Sequence, residues 1–103
     1  MHRSIDAKRD EIAALCRRFG VRRLEVFGSA ARGADFDPAA SDADFLVEFD
    51  PDSRLRPLDE FIGLQTALAA LLGRPVDLIE ASAVRNPYIR ATIEQGRETV
   101  YAA

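Results

Sequence analysis

The run Ala43-Asp44-Phe45-Leu46-Val47-Glu48-Phe49, opened by Asp42, constrains the fold more than any other stretch of the chain. Side chains alternate across a strand with period two, so Ala43, Phe45, Val47 and Phe49 share one face. Asp42 and Asp44 project together from the other. A strand with one such apolar face needs sheet neighbours and a layer of helices to cover it. Two further runs supply the neighbours. Arg23-Leu24-Glu25-Val26-Phe27 alternates polar and apolar and runs straight into Gly28-Ser29, and Val76-Asp77-Leu78-Ile79 carries an aspartate inside an apolar stretch.

Helical spacing fills the intervals. Ser4 is placed to cap a first helix whose apolar positions, Ile5, Ile12, Leu15, Cys16 and Phe19, lead to a stop at Gly20. Pro57 suits the first position of a second helix, with Asp59 and Glu60 near its positive end. Leu58, Phe61, Leu64, Leu68, Leu71 and Leu72 form its stripe, and Gly73 with Pro75 ends it. Asn86-Pro87 reads as a cap and first-turn proline of a helix through Ile93, with Tyr88 partly in the core. A last short strand is expected near Glu98–Tyr101. Residues 30–33 read as a short helical turn, and 34–41 and 50–56 as loops whose aspartates (Asp35, Asp37, Asp50, Asp52) serve turns. The sum is an α/β domain spanning 1–103, a small mixed β-sheet with helices packed on one face.

Composition narrows the function. The chain has 103 residues, enough for one core. Its formal net charge of −3 argues against holding nucleic acid, which requires a lysine and arginine surface. Cys16 is the sole cysteine and His2 the sole histidine, which leaves no disulfide framework and little scope for histidine chemistry. No apolar stretch approaches the ~20 residues of a membrane span, and the N-terminus lacks a signal-peptide pattern, so a cytoplasmic location is expected.

What remains is carboxylate chemistry beside a phosphate-cradling turn. Magnesium prefers oxygen ligands and is usually held by one or two carboxylates plus phosphate oxygens. Asp42 and Asp44 present two carboxylates side by side, and Asp77 offers a third from a neighbouring strand. Gly28 lets backbone approach phosphate closely, Ser29 adds an amide and a hydroxyl, Arg32 adds charge, and Gly33 permits the chain to reverse. In this order and spacing the segment Val26-Phe27-Gly28-Ser29-Ala30-Ala31-Arg32-Gly33, Ser41-Asp42-Ala43-Asp44 and Asp77 resembles the DNA polymerase beta-like nucleotidyltransferase superfamily. Within it, the likeness is to the minimal nucleotidyltransferases. The loop between Gly33 and Ser41 is slightly longer than the commonest pattern of that branch.

The resemblance implies a polymerase-beta-like nucleotidyltransferase fold and a transfer reaction using ATP and two Mg2+ ions. Asp42, Asp44 and Asp77 would be the catalytic and metal-binding residues; Gly28, Ser29, Arg32 and Gly33 would hold the triphosphate. It also implies a HEPN-domain toxin as partner, neutralised by adenylylation of a tyrosine hydroxyl, because members of the branch act as antitoxins. A binding module that neutralises its partner by contact alone is the alternative, and metal-dependent phosphoester hydrolysis ranks last. Arg85, Asn86, Tyr88 and Arg90 have a lesser claim to base stacking or partner contact.

Overall fold

The computed structural model describes residues 3–28, 43–53 and 57–103. Two helices, α1 (Arg3–Asp6) and α2 (Arg9–Arg18), precede strand β1 (Val21–Phe27). Strand β2 (Ala43–Phe49) has the boundaries that its alternation predicts, and a single turn of 3-10 helix, Pro51–Ser53, follows it. Helix α3 (Pro57–Leu72) leads to strand β3 (Val76–Glu80), a second 3-10 turn (Ala81–Ala83), helix α4 (Pro87–Gln95) and strand β4 (Glu98–Ala102).

The strands form one mixed sheet in the order β3-β2-β1-β4. β1 is antiparallel to both β2 and β4, whereas β2 and β3 are parallel. A parallel pair needs a crossover, and α3 provides it. Leu24, Val26, Phe45, Val47 and Leu78 on one face of the sheet pack with Ile5, Ile12, Cys16, Leu64 and Leu68 of the helices. Burial pushes the Cys16 thiol up to about 12, as befits a small core residue rather than a reactive one.

The opposite face is not bare. Phe27, Leu46 and Ile93 form a second, smaller cluster against it, joined by Ile79, Ala81 and Val84. Ile93 belongs to α4, so this helix lies on the face from which Asp44 projects.

Three local expectations need correction. The first helix is broken at Ala7-Lys8, and Ser4 lies within α1 rather than capping it. Leu58 is 69% exposed, because it stands about 120° around the helix from Leu64 at 100° per residue. Tyr88 is 83% exposed for the same kind of reason, standing about 140° from the buried Ile93. The Asn86 cap is as expected: its Oδ1 accepts from the Tyr88 N–H at 2.8 Å, with Pro87 in the first turn. Asp50 serves a turn, its Oδ1 accepting from the Asp52 N–H at 3.0 Å.

Helices α2 and α3 meet at a glycine. A Cβ on Gly63 would stand 2.7 Å from Cε1 of Phe19. Gly63→Ala gains helix propensity, about 1 kcal/mol, but must displace a half-buried aromatic ring, and overpacking costs ~1–3 kcal/mol. The expected result is a net loss of about 1 kcal/mol, read by urea denaturation.

Candidate active site

The site is built at the ends of β1, β2 and β3. Asp44 is the register partner of Phe27 on β1 and of Asp77 on β3. Directly paired residues point to the same side of a sheet. The Asp44 and Asp77 carboxylates therefore stand on adjacent strands, side by side, on the face opposite the main core. Asp44 is half-buried and Asp77 exposed.

Two bonds fix this end of the sheet. The Ala43 N–H donates to the carbonyl of Pro75 at 3.1 Å, which starts the β2–β3 ladder one residue before the aspartates. Gln65 Nε2 of α3 donates to the Val76 carbonyl at 2.9 Å, tying the crossover helix to the residue before Asp77.

Gly28 closes the site from the β1 side. It follows the last residue of β1 with φ +70°, in the left-handed region that favours glycine. A Cβ there would stand 2.9 Å from Oδ2 of Asp44. The bare Cα thus lets the turn pass directly beside the carboxylate. Gly28 serves both the backbone conformation and the close approach.

Of the residues that the sequence nominates, Gly28, Asp44 and Asp77 are brought together. Ser29, Arg32, Gly33 and Asp42 lie outside the described residues. Among the described residues no three His, Cys, Asp or Glu side chains gather as a metal site. Two of the three nominated aspartates are within them, and their donor set of hard carboxylate oxygens suits magnesium. Two like charges directly across a sheet repel, which a bound dication would relieve.

Arg85, nominated for base or partner contact, donates from Nη1 to the carbonyls of Ser82 at 2.9 Å and Val84 at 3.2 Å, closing the 3-10 turn. Glu25, by sequence only a polar position in the alternation of β1, stands out here. Glu25 is 7% exposed, with Arg23 Nε and Arg97 Nε each 3.6 Å from its carboxylate oxygens. It lies on the same face as Phe27 and Leu46. Those two apolar residues were the available signal that this face is covered and that a charge on it would be buried.

Likeness to known proteins identifies the family. Residues 10–100 match the nucleotidyltransferase domain family. The chain is 40% identical over 84 residues to the protein adenylyltransferase MntA of Thermococcus cleftensis, covering 82% of this chain and 77% of that protein. It aligns with a solved structure assigned as a minimal nucleotidyltransferase at a TM-score of 0.73 and 33% identity, covering 95% of each chain. A chain of the tri-AMPylated Shewanella oneidensis HEPN toxin in complex with MNT antitoxin shares the fold at a TM-score of 0.65 and 17% identity, covering 96% of this chain and 73% of that one. This protein belongs to the nucleotidyltransferase domain family, in its minimal nucleotidyltransferase branch.

Proposed function

We propose that this chain is a cytoplasmic antitoxin that transfers AMP from magnesium-bound ATP to a hydroxyl group on a HEPN-type toxin. The observation that carries the reading is the register pairing of Asp44 with Asp77 beside the open Cα of Gly28. Kinship with a protein adenylyltransferase and the fold shared with an antitoxin bound to an AMPylated toxin support the choice of acceptor. No helix among the described residues is long and apolar enough to cross a membrane.

In this reading Gly28 and Ser29 would cradle the triphosphate through backbone amides and the serine hydroxyl, with Arg32 and Gly33 the further candidates for that role. Asp42, Asp44 and Asp77 would hold two magnesium ions, which supply electrostatic stabilisation to the attacking oxygen, the transferred phosphoryl group and the leaving pyrophosphate. Asp77, exposed on β3, would also accept the acceptor's proton. The acceptor oxygen bonds to the α-phosphorus as the bond to the β-phosphate oxygen breaks, and pyrophosphate leaves with the electron pair. Strands hold Asp44 and Asp77 more rigidly than loops would.

The test is intact-mass analysis of a co-expressed HEPN partner after incubation with ATP and magnesium. The expected result is a mass gain of one or more AMP groups together with loss of ribonuclease activity. Full neutralisation with no mass change under any nucleotide would favour the contact-only module instead.

A further inference from the structure

Among the described residues Glu25 is the charged residue that the fold buries, and it lies next to the candidate site. Its carboxylate is shared by two arginines. Arg23 Nε is 3.6 Å from Oε1, and Arg97 Nε is 3.6 Å from Oε2. Arg23 reaches away from the site, with its Nη2 donating to Thr99 Oγ1 at 3.5 Å. Arg97 does not belong to the same end. It precedes Glu98, the partner of Val26, and so enters the sheet level with Phe27 and Gly28.

The rows of the sheet make the placement clear. Glu25 pairs with Leu46 and Phe27 with Asp44, so Glu25 is the diagonal neighbour of Asp44, about 7–8 Å away on the same face. Across the end of the sheet the charges run in one direction. Asp77 and Asp44 stand on β3 and β2, the Gly28 turn ends β1, and the Arg97 guanidinium is held at the β1–β4 side. That cation is about half exposed. Its Nε faces Glu25, and the two Nη amino groups carry the remaining donors of the fork, the arrangement that recognises phosphate oxygens.

We propose that Arg97 binds the β- and γ-phosphates of the nucleotide, the part that leaves as pyrophosphate, and that Glu25 is the positioning residue that holds its guanidinium there. The inference rests on the nucleotidyl-transfer reading and extends its phosphate contacts beyond the Gly28–Gly33 segment to the opposite end of the chain. It explains why a carboxylate is buried on this face at all. A buried charge is costly unless paired, and a plain clamp between β1 and β4 could be apolar.

The experiment titrates magnesium-ATP, magnesium-tripolyphosphate and AMP separately into wild type, Arg97→Ala, Arg97→Lys and Glu25→Gln, each checked for fold by circular dichroism and melting temperature. Arg97→Ala is expected to weaken ATP and tripolyphosphate alike, by about tenfold, and to leave AMP unchanged. Arg97→Lys should fall between, because it keeps the charge and loses the fork. Glu25→Gln should weaken the same two ligands about threefold with Arg97 intact and leave AMP unchanged, an effect that a purely structural clamp would not confine to ligands carrying β- and γ-phosphates. Equal tripolyphosphate affinity in wild type and a folded Arg97→Ala or Arg97→Lys protein would overturn the role of Arg97. Weakened binding in the arginine variants with wild-type affinity in Glu25→Gln would overturn the role of Glu25. A wild type that binds neither ATP nor tripolyphosphate with magnesium would overturn the nucleotidyl-transfer reading itself, and this inference with it.

Discussion

Asp44→Asn should abolish AMP transfer while leaving the protein folded. The substitution is nearly isosteric, and Asp44 projects from the face opposite the main core, beside Gly28 and Asp77. What it removes is charge. A neutral amide cannot hold a dication as a carboxylate does, and metal-borne stabilisation amounts to several kcal/mol, so a loss of about 10³-fold or more in rate is expected. Stability should move little, since the change also removes repulsion between two carboxylates paired across adjacent strands, an effect of roughly 0.2–1 kcal/mol. The check pairs single-turnover transfer with thermal melting. Activity within a factor of about ten of wild type, which is only about 1.4 kcal/mol of barrier, would mean that Asp44 holds no essential ion. Silencing of the partner by an inactive Asp44→Asn protein would instead show that neutralisation proceeds by contact.

Gly28→Val should cost nearly as much for a different reason. At φ +70° a β-branched residue is strained, by about 1–3 kcal/mol. The first added carbon would also stand 2.9 Å from Oδ2 of Asp44, so either the turn or the carboxylate must move. Displacement of a reacting geometry by about 1 Å is enough for a 10²-fold loss. Transfer should therefore slow by about that factor, and magnesium-ATP binding should weaken in calorimetric titration, with a lower melting temperature. Wild-type affinity in a folded Gly28→Val protein would exclude the triphosphate from this turn.

These two residues were legible in the sequence because each sits where a simple rule is strong. Strict alternation with loop signals on both sides places β2 at Ala43–Phe49, and Pro57 and Gly73 bracket α3. Once Asp44 and Asp77 lie on strands, only their pairing is needed to bring them together, and the parallel ladder supplies it. The break between α1 and α2 was not legible, since Ala7 and Lys8 are both good helix formers. It emerges in the fold, where the Lys8 N–H donates to the Ile5 carbonyl, three residues back, at 3.0 Å. Tyr88 and Leu58 show another limit. Apolar character near a helix start does not say on which side of the helix the residue lies. The pairing of Glu25 with Arg97 joins residues 72 positions apart in sequence, and no local pattern announces such a contact.

The sheet order carries a last consequence. Asp44 belongs to an inner strand, flanked by β1 and β3, but Asp77 belongs to β3, a five-residue strand at the border of the sheet. The two halves of the proposed reaction centre therefore stand on ground of unequal firmness. Fraying of β3, or a slip of its ladder by a single residue, would turn Asp77 to the opposite side while the interior stayed intact. Competence is thus a more fragile property of this molecule than foldedness. Its guardians include groups with no part in the chemistry: the amide of Gln65, two residues after Gly63 on the crossover helix, and the carbonyl of Pro75.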